Sequence, residues 1–183
     1  ALHCNVAANI LQFTKWLTTL KQGEEVFLTL IPLYHVYGMV IGLNVGIALG
    51  AAIVLVPDGK NLDKTLQLIQ EHKVTFFPGV PSIYQAINRN QRVLAGEVNL
   101  SSIKACISGS APLLPETREQ FEKLTGGKLV EGYGLSEAPT ATHCNPIQGE
   151  NRNGSIGLPL PDVECKIVNL EDDSKIMSVG ESG

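Results

Sequence analysis

The chain has 183 residues, 44% of them hydrophobic and 17% charged, the make-up of a globular domain able to bury a core, which excludes a disordered or fibrous protein. Eighteen acidic residues against fourteen basic ones leave a net charge of −4; Lys and Arg are scattered singly, so nucleic acid is excluded as a main partner. Four cysteines without a C-x-x-C pair point to a reducing, cytoplasmic setting, and the adjacent pairs His3-Cys4 and His143-Cys144 lack the ligand spacing of a structural zinc site.

Val6, Ile10, Phe13, Leu17 and Leu20 recur three and four residues apart and predict a first helix, with Gly23 as its cap. A chain that begins at Ala1 so close to a helix, and stops in the turn-like run Val179–Gly183, reads as a piece of something longer. Val26–Ile31, closed by Pro32, is a strand. Residues 36–56 are almost entirely apolar, and Gly38, Gly42, Gly46 and Gly50 recur every fourth position, a pattern also found in membrane helix pairs. Gly50-Ala-Ala interrupts that run, Ile53–Val56 before Pro57-Asp58 reads as a buried strand, and no basic cluster flanks either end. The expectation is therefore a glycine-faced core helix over 38–49 followed by a strand.

Asn61 caps a helix whose Leu62, Leu66 and Ile69 share a face, and Val74–Phe77 is the next strand. Pro81 opens a short helix to about Asn88, and residues 91–100 form a polar connection. Ile103–Ile107 is a strand, Pro115 to about Leu124 a helix ended by Gly126-Gly127, and Lys128–Glu131 a strand. This alternation predicts an α/β fold, a mainly parallel β-sheet with helices on both faces. Beyond the Gly- and Pro-rich stretch 154–161, Val163, Cys165 and Ile167 alternate with polar residues as in a half-exposed strand. A boundary near residue 150 separates an α/β subdomain, 1–150, from the start of a β-rich one, 151–183.

Three segments that follow predicted strands carry the chemical signal, because ligands of open α/β sheets bind at the carboxyl ends of strands. In Pro32–Gly38, His35 stands between Tyr34 and Tyr37; its imidazole can bond a carboxylate or phosphate oxygen, or be a packed side chain. Ser108-Gly-Ser-Ala-Pro112 offers small residues against which a flat ring can lie, or makes a tight turn and nothing more. Glu131-Gly-Tyr-Gly-Leu-Ser-Glu137 holds Tyr133 between two glycines and places a hydroxyl beside a carboxylate, a pair suited to phosphate and Mg²⁺. The dinucleotide fingerprint fails at Glu137, and Gly126-Gly-Lys128 lacks the remaining residues of a Walker loop.

Taken in order with Gly154-Ser-Ile-Gly-Leu-Pro159, these blocks resemble the central part of the adenylate-forming acyl-CoA synthetases. LTGGKLVEGYGLSEAPTATHCNP and NGSIGLPLPD are most similar to the bacterial long-chain fatty acid CoA ligases. The resemblance covers essentially the whole chain and implies an acid–thiol ligase. Such an enzyme uses ATP and Mg²⁺ to make an acyl-adenylate from a fatty acid, then passes the acyl group to coenzyme A. It places His35 by the acyl carboxylate and α-phosphate, and Tyr37, Val80, Gly109 and Gly134 along the acyl path. Gly109, Ser110, Ala111, Pro112, Glu131, Gly132, Tyr133, Gly134, Leu135 and Ser136 surround the nucleotide, with Tyr133 stacked on adenine. Ser136 contacts phosphate, and Glu137 binds Mg²⁺. The family's phosphate loop, its Thr-Gly-Asp ribose contact and its small C-terminal domain have no counterpart in the sequence, so the expectation is that the chain alone does not turn over. Adenylating enzymes of another acid class, such as aryl acids, and those that end in a carrier-protein thioester or in light emission share these blocks, and a non-catalytic interaction module is the third reading. Apolar surface left open on a truncated domain makes pairing with a second copy, a homodimer, a further expectation, and a fatty substrate makes peripheral membrane contact of the parent protein another.

Overall fold

The structure is a computed structural model that describes residues 2–183. Its centre is a seven-stranded sheet in the order β2-β1-β3-β4-β5-β6-β7. The strands are β1 (Val26–Thr29), β2 (Ala52–Leu55), β3 (Phe76–Gly79), β4 (Ala105–Ser108), β5 (Lys128–Leu135), β6 (Thr140–Cys144) and β7 (Leu158–Pro159). Strands β1 to β5 are joined in parallel, whereas β6 and β7 run antiparallel. The α/β class and the covered, mainly parallel sheet are as the alternation of elements predicts.

Adjacent residues of each strand point to opposite faces, so the sheet divides its apolar side chains between two cores. Phe27, Phe76, Ala105, Ile107 and Val130 enter one core, with α1 (His3–Trp16) and the glycine-rich helix. Leu28, Phe77, Cys106 and Leu129 enter the other, with α3 (Leu62–His72), α4 (Pro81–Arg89) and α6 (Pro115–Thr125). Phe27 and Phe76 lock β1 to β3, their ring centroids 4.5 Å apart. Local signals act where the sequence places them. The Asn61 side chain accepts the Lys64 N–H, Pro115 opens α6, and Gly126 ends it at φ 77°.

The segment 38–48 is a π-helical stretch, Gly38–Asn44, continued by a short helix α2, Val45–Ala48. Gly42 and Gly46 meet strands β1 and β2, and Gly38 meets the turn at Ile31 and Pro32; none meets a second helix. A Cβ on Gly42 would stand 2.9 Å from the Thr29 side chain, and the Thr29 hydroxyl donates to the Gly42 carbonyl at 2.8 Å. Among the described residues no helix is long and apolar enough to cross a membrane.

Four expectations need correction. Helix α1 stops at Trp16, so Gly23, at φ 77° in a later turn, does not cap it; Leu17 and Leu20 are buried beyond its end. Strand β3 lies two residues later than Val74–Phe77 and includes Pro78, whose missing N–H is tolerated because β1 pairs with β3 at Phe27–Phe76. The connection 91–100 contains a helical turn α5, Gln91–Leu94, capped by Asn90. Residues 163–167 form no strand; the backbone there is bridged at Val168–Ile176, with Met177 N–H donating to Ile167 O at 2.9 Å.

Candidate active site

The carboxyl ends of β1, β4 and β5 open onto one cavity of about 280 Å³, whose wall includes His35, Tyr37, Gly109, Ser110, Tyr133 and Ser136. These residues come from all three segments that the sequence singles out.

After β1 the chain turns at Pro32, whose carbonyl accepts the His35 N–H at 2.9 Å. The Tyr37 backbone N–H then donates to His35 Nδ1 at 3.1 Å. A ring nitrogen that accepts carries no proton, so the neutral imidazole keeps its proton on Nε2 and is set up as a donor. Tyr37 is buried, and its hydroxyl lies 2.8 Å from the Ile107 carbonyl and 3.2 Å from that of Gly79. Burial pushes its phenol well above the ordinary range. The hydroxyl is therefore committed to the ends of β3 and β4, and Tyr37 gives the cavity its ring.

Beyond β4 the backbone passes close to that ring, and a Cβ on Gly109 would stand 3.1 Å from it. Ser110 adopts φ 70°, a left-handed conformation costly for a residue with a side chain, and strain of this kind gathers at functional sites. The loop is tied down by Glu131, whose carboxylate accepts the Leu113 N–H at 3.0 Å. Ala111 and Pro112 are exposed at the rim, outside the cavity wall.

The third segment differs from its expected form. β5 does not end at Glu131 but runs on to Leu135. It pairs in parallel with β4 through Glu131, then antiparallel with β6 from Gly132 onward. The register shifts between Tyr133 and Gly134, where a Cβ on Gly134 would collide with the Thr140 carbonyl. Gly132, Tyr133, Gly134 and Leu135 thus line the cavity from a strand. Tyr133 is 46% exposed, its ring free to receive a flat partner, with the His143 ring edge-on at 6.3 Å. Burial lowers the imidazole pKa of His143. Ser136 stands on the hairpin turn within the wall, and Glu137 next to it is exposed at the tip, outside the wall.

Val80 is the N-cap of α4 and packs against the other core, so it does not line this cavity. Sequence reasoning missed the apolar floor, made by Phe13, Ile41 and Ile107, and the wall residues Thr140 and Ala141. Phe13 is legible as a helix-face residue, but periodicity does not say whether that face meets a cavity. Among the described residues no cluster of three His, Cys, Asp or Glu side chains gathers. The arrangement combines a polar mouth with one oriented imidazole donor, an open tyrosine face and a floor of buried apolar side chains.

Comparison with known proteins assigns the family. A profile described as AMP-binding enzyme matches residues 2–183. The chain is 45% identical over 169 residues to a long-chain-fatty-acid–CoA ligase of Bacillus subtilis, covering 92% of this chain and 30% of that protein. It is 31% identical over 182 residues to the enzyme of the same name from Escherichia coli O157:H7, covering 99% and 32%. Among solved structures, ATP-bound MatB from Rhodopseudomonas palustris superposes with a TM-score of 0.83 at 27% identity, over 97% of this chain and 33% of that one. The chain therefore spans about a third of the length of these relatives, and it belongs to the AMP-binding enzyme family.

Proposed function

We propose that the full-length protein is a long-chain fatty acid CoA ligase. The observation that carries this reading is the convergence of His35, Ser110, Tyr133 and Ser136 on one cavity with an apolar floor, in a chain 45% identical to a relative of that name. In the first step a carboxylate oxygen of the acid attacks the α-phosphorus of ATP, the bond to the bridging oxygen breaks, and pyrophosphate leaves. In the second step the thiol sulfur of coenzyme A attacks the acyl carbonyl, AMP leaves, and the thiol proton passes to solvent.

Carboxylate and triphosphate repel one another, so the site must offer oriented donors before the first bond forms. His35 Nε2–H and the Ser136 hydroxyl supply them at the mouth. Tyr133 takes the adenine on its face, against the small residues Gly109, Ser110, Ala111 and Pro112. The acyl chain enters past Gly134 toward the Tyr37 ring and the floor at Phe13 and Ile41. Glu137 is the carboxylate that would hold Mg²⁺, which when bound offsets charge on the phosphate oxygens. A cation held mainly by phosphate and water needs few protein carboxylates, and the Glu131 carboxylate is already committed to the Leu113 N–H. Residues 151–183 are read as the opening of a second subdomain.

The test is incubation of the full-length protein with ATP, Mg²⁺ and palmitate in the absence of coenzyme A, followed by mass spectrometry. Palmitoyl-adenylate is the expected product, and its absence contradicts the assignment.

A further inference from the structure

Asn9 lies on α1, is 6% exposed and is not in the cavity wall. Its carboxamide is nevertheless committed to the wall. Oδ1 accepts the N–H groups of Thr140 and Ala141 at 3.2 and 3.1 Å, and Nδ2 donates to the Ala141 carbonyl at 2.6 Å and to Gln12 Oε1 at 3.2 Å. One side chain thus takes both polar groups of Ala141, as a neighbouring strand would. Thr140 in turn donates its hydroxyl to the Val36 carbonyl at 3.2 Å, beside His35. Thr140 and Ala141 are where the chain returns from the hairpin turn that carries Ser136 and Glu137. Phe13, one helical turn beyond Asn9, lines the floor of the same cavity.

We infer that Asn9 is a positioning residue for adenylation: it fixes the β5–β6 hairpin against α1 so that Ser136 and Tyr133 face the ligand while His35 is held opposite. The inference rests on the ligase reading above. A buried amide with all its bonds made sets one geometry, and a misplacement of about 1 Å in a reacting constellation costs on the order of 100-fold in rate. The apolar floor that holds the acid's tail remains when the amide is removed. The loss therefore falls on kcat and not on the KM for the acid.

The experiment is acid-dependent ATP–pyrophosphate exchange by full-length Asn9→Ala, compared with Asn88→Ala. Asn88 is a similarly buried asparagine, 3% exposed, that bonds Thr117 O in the other core. Both variants are assayed at a temperature where circular dichroism shows them folded. Asn9→Ala is expected to lose at least ten-fold in kcat with the KM for palmitate within two-fold, while Asn88→Ala keeps kcat within two-fold. Wild-type kcat in folded Asn9→Ala, or an equal loss in Asn88→Ala, overturns the positioning role. Absence of exchange in the wild-type protein with every acid overturns the ligase reading itself, and this inference with it.

Discussion

The carboxylate of Glu131, on β5, accepts the backbone N–H of Leu113 at 3.0 Å, so a residue inside the family motif acts as the tie that holds the neighbouring loop. That loop carries Gly109 and the left-handed Ser110. Glu131→Ala is expected to cost about 1.5 kcal/mol, the scale of a hydrogen bond to a charged acceptor, and to raise the KM for ATP. Glu131→Gln keeps an acceptor and recovers most of both. Urea unfolding and initial rates on the full-length protein check the pair.

His35 is held by its own backbone neighbour with Nδ1 as acceptor. Two-bond nitrogen–proton correlation spectra are expected to show the Nε2–H tautomer for this ring. On the proposed function His35→Ala removes a donor to the reacting phosphate and is expected to lower adenylation by about 100-fold with the fold unchanged. A Nδ1–H tautomer contradicts the assignment of the donor.

Glu137→Gln leaves a residue of the same size at an exposed turn, so the melting temperature is expected to stay within a degree or two, about what a neutral surface change gives. Adenylation should fall strongly, and the Mg²⁺ concentration for half-maximal activity should rise. Unchanged pyrophosphate release over a Mg²⁺ titration removes the metal role.

Glu25 makes a prediction for stability alone. Its buried carboxylate bonds Lys104 Nζ at 2.8 and 3.0 Å and the Lys21 N–H at 2.8 Å. Burial raises its pKa, but the Lys104 ammonium and the Thr75 and Lys21 donors outweigh burial and hold it below the ordinary 4.5. A carboxyl with a depressed folded-state pKa contributes stability above 4.5, and that contribution is lost as the pH falls through the folded value. Lys104→Met strands the buried charge and is expected to cost about 2 kcal/mol at pH 7, less than for a fully buried pair because Lys104 is partly exposed. The gap between wild type and variant should narrow below pH 4.5 and close once the pH has fallen through the folded-state value. Chemical denaturation in steps from pH 7 downward measures it.

Most of the sheet was legible because each parallel strand is a short apolar run between helices with clear starts, such as Asn61, Pro81 and Pro115. β6 was not. Thr140–Cys144 has no strong alternation, and its partner is the half of β5 that looks like a glycine loop, which becomes a strand only when Gly134 lets the Thr140 carbonyl approach. The strand expected at 163–167 failed for the reverse reason, since alternation alone does not supply a ladder and the contacts there are made near 176. In the cavity, His35, Tyr133 and Ser136 were legible as motif residues. Phe13 and Thr140 reach it through packing, and the Asn9 amide holds its wall through bonds to Thr140 and Ala141 more than a hundred positions away, which no local pattern records.

Pyrophosphate release by the full-length protein, with ATP, Mg²⁺ and acids from acetate to palmitate, tests the proposed activity most directly. Release that peaks with long acids and is followed by acyl transfer to coenzyme A is the expected result. Release confined to short or aromatic acids, or none with any acid, contradicts the assignment of the cavity to a long acyl chain.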